Sequence, residues 1–391
     1  MSLTVEPFCG VRFNEKALKL GRVVSPPYDV FNASLERRLR RFKENAVHLE
    51  LPAGRDAARY KKARALWERW LKSGVLVRDE KPAFYVVEQR FTFRGKRYVR
   101  TGVMGALGLD AASARRVLRH ERTLSKHKAD RTRVLKTMKA NTSPIFGIYP
   151  DGGGRLRRIL SAVKRKKPSA SGTDIQGVGL KVWRFDDERA AAEVSAAFRS
   201  KSLLIADGHH RFEVARDYWK RFKRPGSSHT LAYLVAQEDS GLIVNPTHRV
   251  VRAQASVARA LEALCRGKKI SSVAALERAL SKSTSPYAFG LYDGTLRLMT
   301  VAPGAPKVAS GFGLDWLSRR ILKGVDPHDL GYYHGSSEAL ADAQKSKGWA
   351  FIGRPFTVAD IRRAVLRAGL LPQKSTYFFP KIGSGLVFRS F

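Results

Sequence analysis

A globular chain of two domains, mixing strands with helices, is what the sequence predicts, and three observations carry it. The chain has 391 residues, more than one ordinary module of about 150 residues. Apolar residues at 43% and aromatic residues at 10% supply a packed core, which excludes a disordered or collagen-like chain. Near Ala253 the texture changes from long strand signals to alternating helices and short strands. We therefore expect one domain over 1–252 and a smaller α/β domain over 253–391.

Lys and Arg number 73 against 34 Asp and Glu, a formal charge of +39. A surface so positive favours polyanions, nucleotides and phosphate esters as partners. Cys9 and Cys265 form neither a CxxC pair nor a zinc-spaced set, which suits a reduced, cytoplasmic protein better than a disulfide scaffold. The first twenty residues lack a basic region followed by an apolar run, and no apolar stretch approaches the ~18 residues needed to span a bilayer. We expect no membrane partner.

The elements follow in order. Pro26 and Pro27 fix an extended stretch over VVSPPYDVF, residues 23–31, because each ring locks φ and removes a donor. Leu35 to Lys43 reads as a basic helix, and NAVHLELP over 45–52 alternates as a strand. Ala57 to Ser73 places Ala63, Leu66, Trp67, Trp70 and Leu71 at helical spacing, and Gly74 stops it. Residues 83–109 carry the clearest sheet signal, two β-branched and aromatic runs around Gly95, and predict a hairpin. Ser113 to Lys139 holds ten Arg or Lys against Glu121 and Asp130, helical from Asp130 onward. Ile145 to Tyr149 reads as a buried strand. Residues 155–201 hold two basic amphipathic helices around a flexible PSASGTDIQGVG loop and the strand LKVWRF. LLIADGHHRFEVARDYWKRF then gives strand, tight turn and helix, with Phe212, Ala215, Tyr218 and Trp219 on one face. Two further strands, HTLAYLVAQ and GLIVNPTHRVV, precede the change at Ala253.

The sharpest constellation is Asp207, Gly208, His209, His210 and Arg211, set between that strand and helix. A helix start exposes unpaired N–H groups and the positive end of the macrodipole, so a glycine turn followed by His, His and Arg makes an anion pocket. Asp207 beside it could orient a metal ion or take a proton from an attacking hydroxyl; the plainer alternative is an N-cap. The second constellation is His120, Glu121, Arg122 and Thr123, followed by Lys126, His127, Lys128 and Arg131. Such a concentration of positive charge is tolerable beside an anion or an acidic neighbour, although a solvated basic helix is the ordinary case. No second His stands four residues after His120, so HExxH zinc chemistry is absent, and the nine histidines show no metal-ligand spacing. Asp29 and Tyr28 sit on the proline-stiffened PPYDV segment. Lys374 and Ser375, in QKST, offer an amine and hydroxyls without P-loop spacing. His248 and Arg249 of NPTHR lie at a strand edge, where a structural role is the simpler reading.

PPYDV, LRHERTLSKHKADR, NTSPIFGIY, IADGHHRFEVA, NPTHR and LPQKSTYFFPK, spread over nearly the full length, resemble the domain-of-unknown-function 1015 family of bacteria and archaea. That family is in turn similar, through its Asp-Gly-His-His-Arg loop, to the ParB and sulfiredoxin superfamily, with free-serine kinases of archaea as similar members. The resemblance implies an α+β fold, a ParB/sulfiredoxin-like nucleotide-binding unit within a mixed-sheet two-domain protein. It places Asp207, Gly208, His209, His210 and Arg211 on the phosphate loop, which 1–252 would carry, while the last segment of 253–391 would contribute to the site. Asp29, His120, Glu121, Arg122, Thr123, Lys374 and Ser375 match family motifs without transferable individual roles. The charge of +39 departs from what such a family leads one to expect.

The function so implied is a nucleotide-dependent small-molecule kinase acting on a hydroxyl acceptor such as a serine-like compound. ATP or ADP, or another nucleotide, with Mg²⁺ would serve as donor, because phosphoryl transfer needs phosphate clamps and a carboxylate near the accepting hydroxyl. Residues 207–211 would hold the donor phosphates; Arg122, Lys126 and Arg131 would neutralise charge; Glu121 or Asp207 would be the base, with Asp29 a further candidate. The alternative is a ParB-like, nucleotide-switched regulatory or nucleic-acid-binding protein. Neither a spaced helix-turn-helix nor RNP aromatics are present, so nucleic-acid binding would be unspecific. Sulfiredoxin-like repair is disfavoured because residues 207–211 hold no cysteine.

Overall fold

The computed structural model describes residues 2–54, 56–121 and 125–391, with the backbone alone described for 125–127 and 327. Two compact units emerge from the pattern of contacts. The first comprises Met1–Leu118, Thr123–Ile243 and Pro380–Phe391; the second comprises Arg119–Arg122 and Val244–Phe379. Among the described residues no helix is long and apolar enough to cross a membrane.

The first unit is built on a mixed nine-stranded sheet, as an α+β fold requires. From one edge the strands run Val117–Leu118, Leu203–Asp207, Ile145–Tyr149, His229–Ala236, Lys96–Gly108, Phe84–Phe93, Gly179–Phe185 and Ala170–Thr173, with Val5–Glu6 added beside Lys96–Gly108. Leu203–Asp207 is parallel to Val117–Leu118 and antiparallel to Ile145–Tyr149, which is itself parallel to His229–Ala236. The expected hairpin turns at Arg94 and Gly95, and Phe93 pairs with Lys96. Helix His209–Phe222 buries Phe212, Val214, Ala215 and Tyr218 into a core that includes Ile205, Leu234 and Val103. Of these, Phe212 and Val214 each contribute about 1.5–3 kcal/mol on burial, which fixes the helix start against the sheet.

Two segments differ from the sequence expectation. Residues 45–52 contain the helix Val47–Glu50 in place of a strand. The cause is Asn45, fully buried, whose side-chain oxygen accepts from the Val47 amide at 2.9 Å while its NH₂ donates to the Arg22 and Val24 carbonyls. A side chain that satisfies backbone groups on both flanks outweighs a short alternating pattern. PSASG, expected as a flexible loop, supplies the edge strand Ala170–Thr173, paired with residues 179–182. Gly172 permits it: a Cβ there would stand 2.7 Å from the Gly21 amide.

The second unit carries a six-stranded antiparallel sheet in the order Cys265–Lys269, Leu296–Val301, Phe289–Tyr292, Gly348–Gly353, His248–Arg252 and Gly331–Tyr333. Leu276, Leu280, Ala339, Leu340 and Ala343 from helices Val273–Lys282 and Ser336–Ser346 pack on Val250, Ala350 and Ile352. The expected alternation of helices and short strands after Ala253 is present.

Candidate functional site

The loop at residues 207–211 forms at the end of strand Leu203–Asp207, where the register with Ile145–Tyr149 shifts between Ile205 and Asp207. Such an irregularity re-aims the side chain that follows it. Gly208 then turns at φ 92° and helix His209–Phe222 begins. That left-handed conformation suits glycine, and a Cβ at Gly208 would stand 3.1 Å from Arg211 Nε. His209 is buried and His210 half-buried.

Arg211, one helical turn on, reaches back so that Nη2 donates to Asp207 Oδ2 and Nη1 donates to the Pro144 carbonyl at 2.5 Å. Its Nε is buried and has no hydrogen-bond partner. Asp207 Oδ1 receives Lys381 Nζ at 2.9 Å, and the same ammonium donates to Asp29 Oδ2. Burial would raise the Asp207 carboxyl, but Lys381 and Arg211, with His209 behind them, hold it far below the usual carboxylate range. Burial likewise works against the charge on Lys381, and Asp207 and Asp29 override it and push the ammonium upward. Asp207 is therefore a permanent carboxylate with each oxygen committed to a cation.

A second ring of groups stands around this clamp. The Arg131 guanidinium lies 4.2 Å from the Tyr28 ring centroid, and its Nη1 donates to the Glu50 carbonyl at 2.9 Å and to Glu50 Oε1 at 3.2 Å. Glu50, 1% exposed, also accepts from Thr142 Oγ1 and, at 2.9 Å, from Ser143 Oγ. Burial raises the Tyr28 phenol against the opposing pull of Arg211 and Arg131, so Tyr28 stays neutral and can donate. Glu50, Arg131, Asn141, Thr142, Ser143 and Arg211 line one small, open cleft.

Of the residues singled out in the sequence, Asp29, Arg131 and Asp207 to Arg211 lie in the first unit, and the contacts above join Asp29, Asp207 and Arg211 through Lys381, with Arg131 and Arg211 on one cleft. His120, Glu121, Lys374 and Ser375 belong to the second unit. There His120 is fully buried, with Nε2 2.8 Å from Thr376 Oγ1 and 3.8 Å from Glu121 Oε1, and its carbonyl accepts from the Leu371 amide at 2.8 Å. Lys374 Nζ lies 4.8 Å from the Tyr332 ring centroid, and Ser375 Oγ closes a turn onto the Pro372 carbonyl at 2.7 Å. Arg122 and Thr123 lie outside the described residues, as does the side chain of Lys126. Sequence reasoning missed Lys381, Glu50, Thr142 and Ser143 as site residues, although Lys381 ends LPQKSTYFFPK and Thr142 and Ser143 lie in NTSPIFGIY.

The arrangement offers a helix start, a buried guanidinium with one N–H unspent, an ammonium shared by two carboxylates, and a hydroxyl-lined cleft. Those are the elements of an oxyanion site with a proton acceptor beside it. Among the described residues no group of three or more His, Cys, Asp or Glu gathers as a metal site would require. Arg211 Nε is a buried donor at the helix start that a bound anion would satisfy.

A search of curated proteins by sequence returns no match. Among solved structures, the chain is similar to a conserved hypothetical protein from Pyrococcus furiosus at 17% identity and TM-score 0.39, over 72% of this chain and 93% of that one. It is similar to a point variant of a free serine kinase in complex with ADP at 13% identity and TM-score 0.40, over 71% and 87%. It is also similar to C-terminally truncated SbnI from Staphylococcus aureus at 8% identity and TM-score 0.39, over 71% and 84%. Residues 5–322 match the family model described as Protein of unknown function (DUF1015), and the chain belongs to that family.

Proposed function

We propose that the protein is a nucleotide-dependent phosphotransferase that acts on a small hydroxylated acceptor of the serine type, with ATP or ADP as donor. In this reading the first unit is the ParB/sulfiredoxin-like nucleotide-binding part. The observation that carries the reading is the clamp on Asp207: two cations held by one permanent carboxylate beside a helix start, with Arg211 Nε buried and unspent.

Gly208 to Arg211 and Lys381 hold the donor phosphates, with the helix N–H groups aimed at the anion. Asp207 fixes Arg211 and Lys381 in place; with both oxygens committed, it is a poor proton acceptor. Asp29 suits that role better, being 39% exposed at its side chain with one oxygen on Lys381, where an acceptor hydroxyl can approach it. Glu121, beside His120, belongs to the second unit and takes no part in this reading. Arg131, held by Glu50, neutralises charge developing over the cleft. A protein-held Mg²⁺ does not fit the described residues, because no acidic or histidine cluster stands beside Asp207 and both oxygens of Asp207 are held by Arg211 and Lys381. A divalent ion would enter on the nucleotide's own phosphates, and no step here runs through it.

Calorimetric titration with ADP, ATP and CTP, each with Mg²⁺, is the test, followed by phosphorus NMR of transfer to serine and other small alcohols. Saturable binding of one nucleotide with phosphorylated product supports the reading. Binding of none of the three overturns it.

A further inference from the structure

The hairpin of the first unit reaches past its sheet. The strand Phe84–Phe93 is flanked by Gly179–Phe185 only as far as Arg90, and Lys96–Gly108 is flanked by His229–Ala236 only from Gly102 onward. The pairs Phe91 with Tyr98, Thr92 with Arg97, and Phe93 with Lys96 thus form a two-stranded ribbon with no strand on either side. Its rings stiffen it: Phe91 stacks on Tyr98 at 5.8 Å, and the buried Arg100 guanidinium lies 5.9 Å from the Phe91 centroid. Arg94, Lys96 and Arg97 are exposed on it.

A second basic run, distant in sequence, is fastened at the ribbon's base. Lys164, at the end of helix Arg155–Val163, donates to Glu88 Oε2 at 2.5 Å and to Thr101 Oγ1 at 2.9 Å. Arg90 Nε takes the other oxygen of Glu88 at 2.7 Å. Glu88 is 3% exposed, so the acid that joins the two runs is spent and hidden. Trp183 Nε1 donates to the Lys166 carbonyl at 2.8 Å, which fixes the following residues. Arg165, Lys166 and Lys167 are exposed and form a second cationic run beside the ribbon's base.

We propose that the ribbon, with Arg94, Lys96 and Arg97 at its tip on both of its faces and Arg165, Lys166 and Lys167 as a second cationic run near its base, docks the phosphate backbone of duplex nucleic acid. A two-stranded ribbon has the width to enter a major groove, and cations along it release counterions from the phosphates they neutralise. A membrane surface fits less well, because docking there needs an apolar set to bury. Among the described residues Val99, 42% exposed, is the one exposed large apolar side chain of the first unit, the other, Leu366, lying in the second. The proposal is independent of the nucleotide site.

The test is fluorescence anisotropy of a labelled mixed-sequence duplex of about 20 base pairs, titrated with the full chain between about 50 and 200 mM salt. Arg94→Gln/Lys96→Gln/Arg97→Gln should weaken binding at least tenfold at about 100 mM salt and flatten the slope of log K against log salt by about 2–3. Arg165→Gln/Lys166→Gln/Lys167→Gln should act in the same direction. A charge-matched control, Arg37→Gln/Arg38→Gln/Arg41→Gln, removes three exposed cations elsewhere in the first unit and should change the slope by less than half as much. Unchanged near-ultraviolet circular dichroism verifies the fold of each variant. Equal losses in control and ribbon variants, wild-type-like binding by both test variants, or vesicles of phosphatidylserine that outcompete the duplex would each overturn the proposal.

Discussion

Lys381 Nζ donates to Asp207 Oδ1 at 2.9 Å and to Asp29 Oδ2, so one ammonium from the C-terminal segment ties the end of strand Leu203–Asp207 to the PPYDV turn. Lys381→Met leaves two carboxylates facing each other with their shared cation removed. We expect a loss of about 2–4 kcal/mol in urea unfolding, at the lower end because Asp29 is partly exposed. Phosphotransfer should fall to background.

The pH dependence of Asp207→Asn follows from the depressed carboxyl. A group whose folded pKa lies below its unfolded value stabilises the fold above the unfolded value and loses that contribution as pH falls through the folded one. The raised ammonium of Lys381 acts oppositely, contributing below its unfolded value and losing it only as pH rises above the ordinary lysine range. Wild type minus Asp207→Asn stability should thus be flat from about pH 5 to 9 and shrink below about pH 4. Urea midpoints across that range check it, and a difference that grows on acidification would contradict the clamp.

Gly208→Ala meets two obstacles, a φ of 92° and the Arg211 guanidinium 3.1 Å from the new methyl. The cost should be about 1–2 kcal/mol for the backbone alone. The displaced Arg211 should weaken nucleotide binding more than the loss of stability suggests, which calorimetry on the folded variant measures.

Arg211→Lys retains charge but loses the fork that spans Asp207 and the Pro144 carbonyl. Nucleotide affinity should fall about tenfold, because a point charge does not replace a planar two-sided donor. Arg211→Ala should lose more, and equal affinities for wild type and the lysine variant would remove Arg211 from the site.

Glu50→Gln keeps the shape of the buried side chain but weakens its hold on Arg131, Thr142 and Ser143. A loss of about 1–3 kcal/mol is expected for the compromised buried network. If Arg131 serves the acceptor cleft, KM for the acceptor should rise while nucleotide binding changes little.

The hairpin over 83–109, the helix at 57–73 and the strand–turn–helix around Asp207 were legible because each declares itself within twenty or so residues by period and glycine placement. Asp29 and Arg131 were legible as charged residues on stiff or crowded segments. Lys381 was not: its neighbours Lys374 and Ser375 drew attention, yet the backbone pairings Ser25 with Ser384, Val11 with Phe388 and Asn141 with Arg389 decide which lysine reaches the carboxylates. No local pattern encodes such pairings. Glu50 was hidden by a false strand, since the alternation of NAVHLELP says nothing of Asn45 gripping the backbone on both sides. Arg100, Gln89 and Pro380 show the same limit: Arg100 donates to the Gln89 side chain and the Pro380 carbonyl, a buried anchor for the Lys381 segment that no spacing rule foretells.

The return of Pro380–Phe391 to the first unit has a bearing on how the protein is made. A ribosome delivers residues 207–211 well before it delivers Lys381, and everything from Val244 to Phe379 must emerge in between. During that interval Asp207 has one of its two cations and Asp29 has none from this source. Until Lys381 arrives the clamp on Asp207 lacks one of its two cations, and closure of so long a loop is slow.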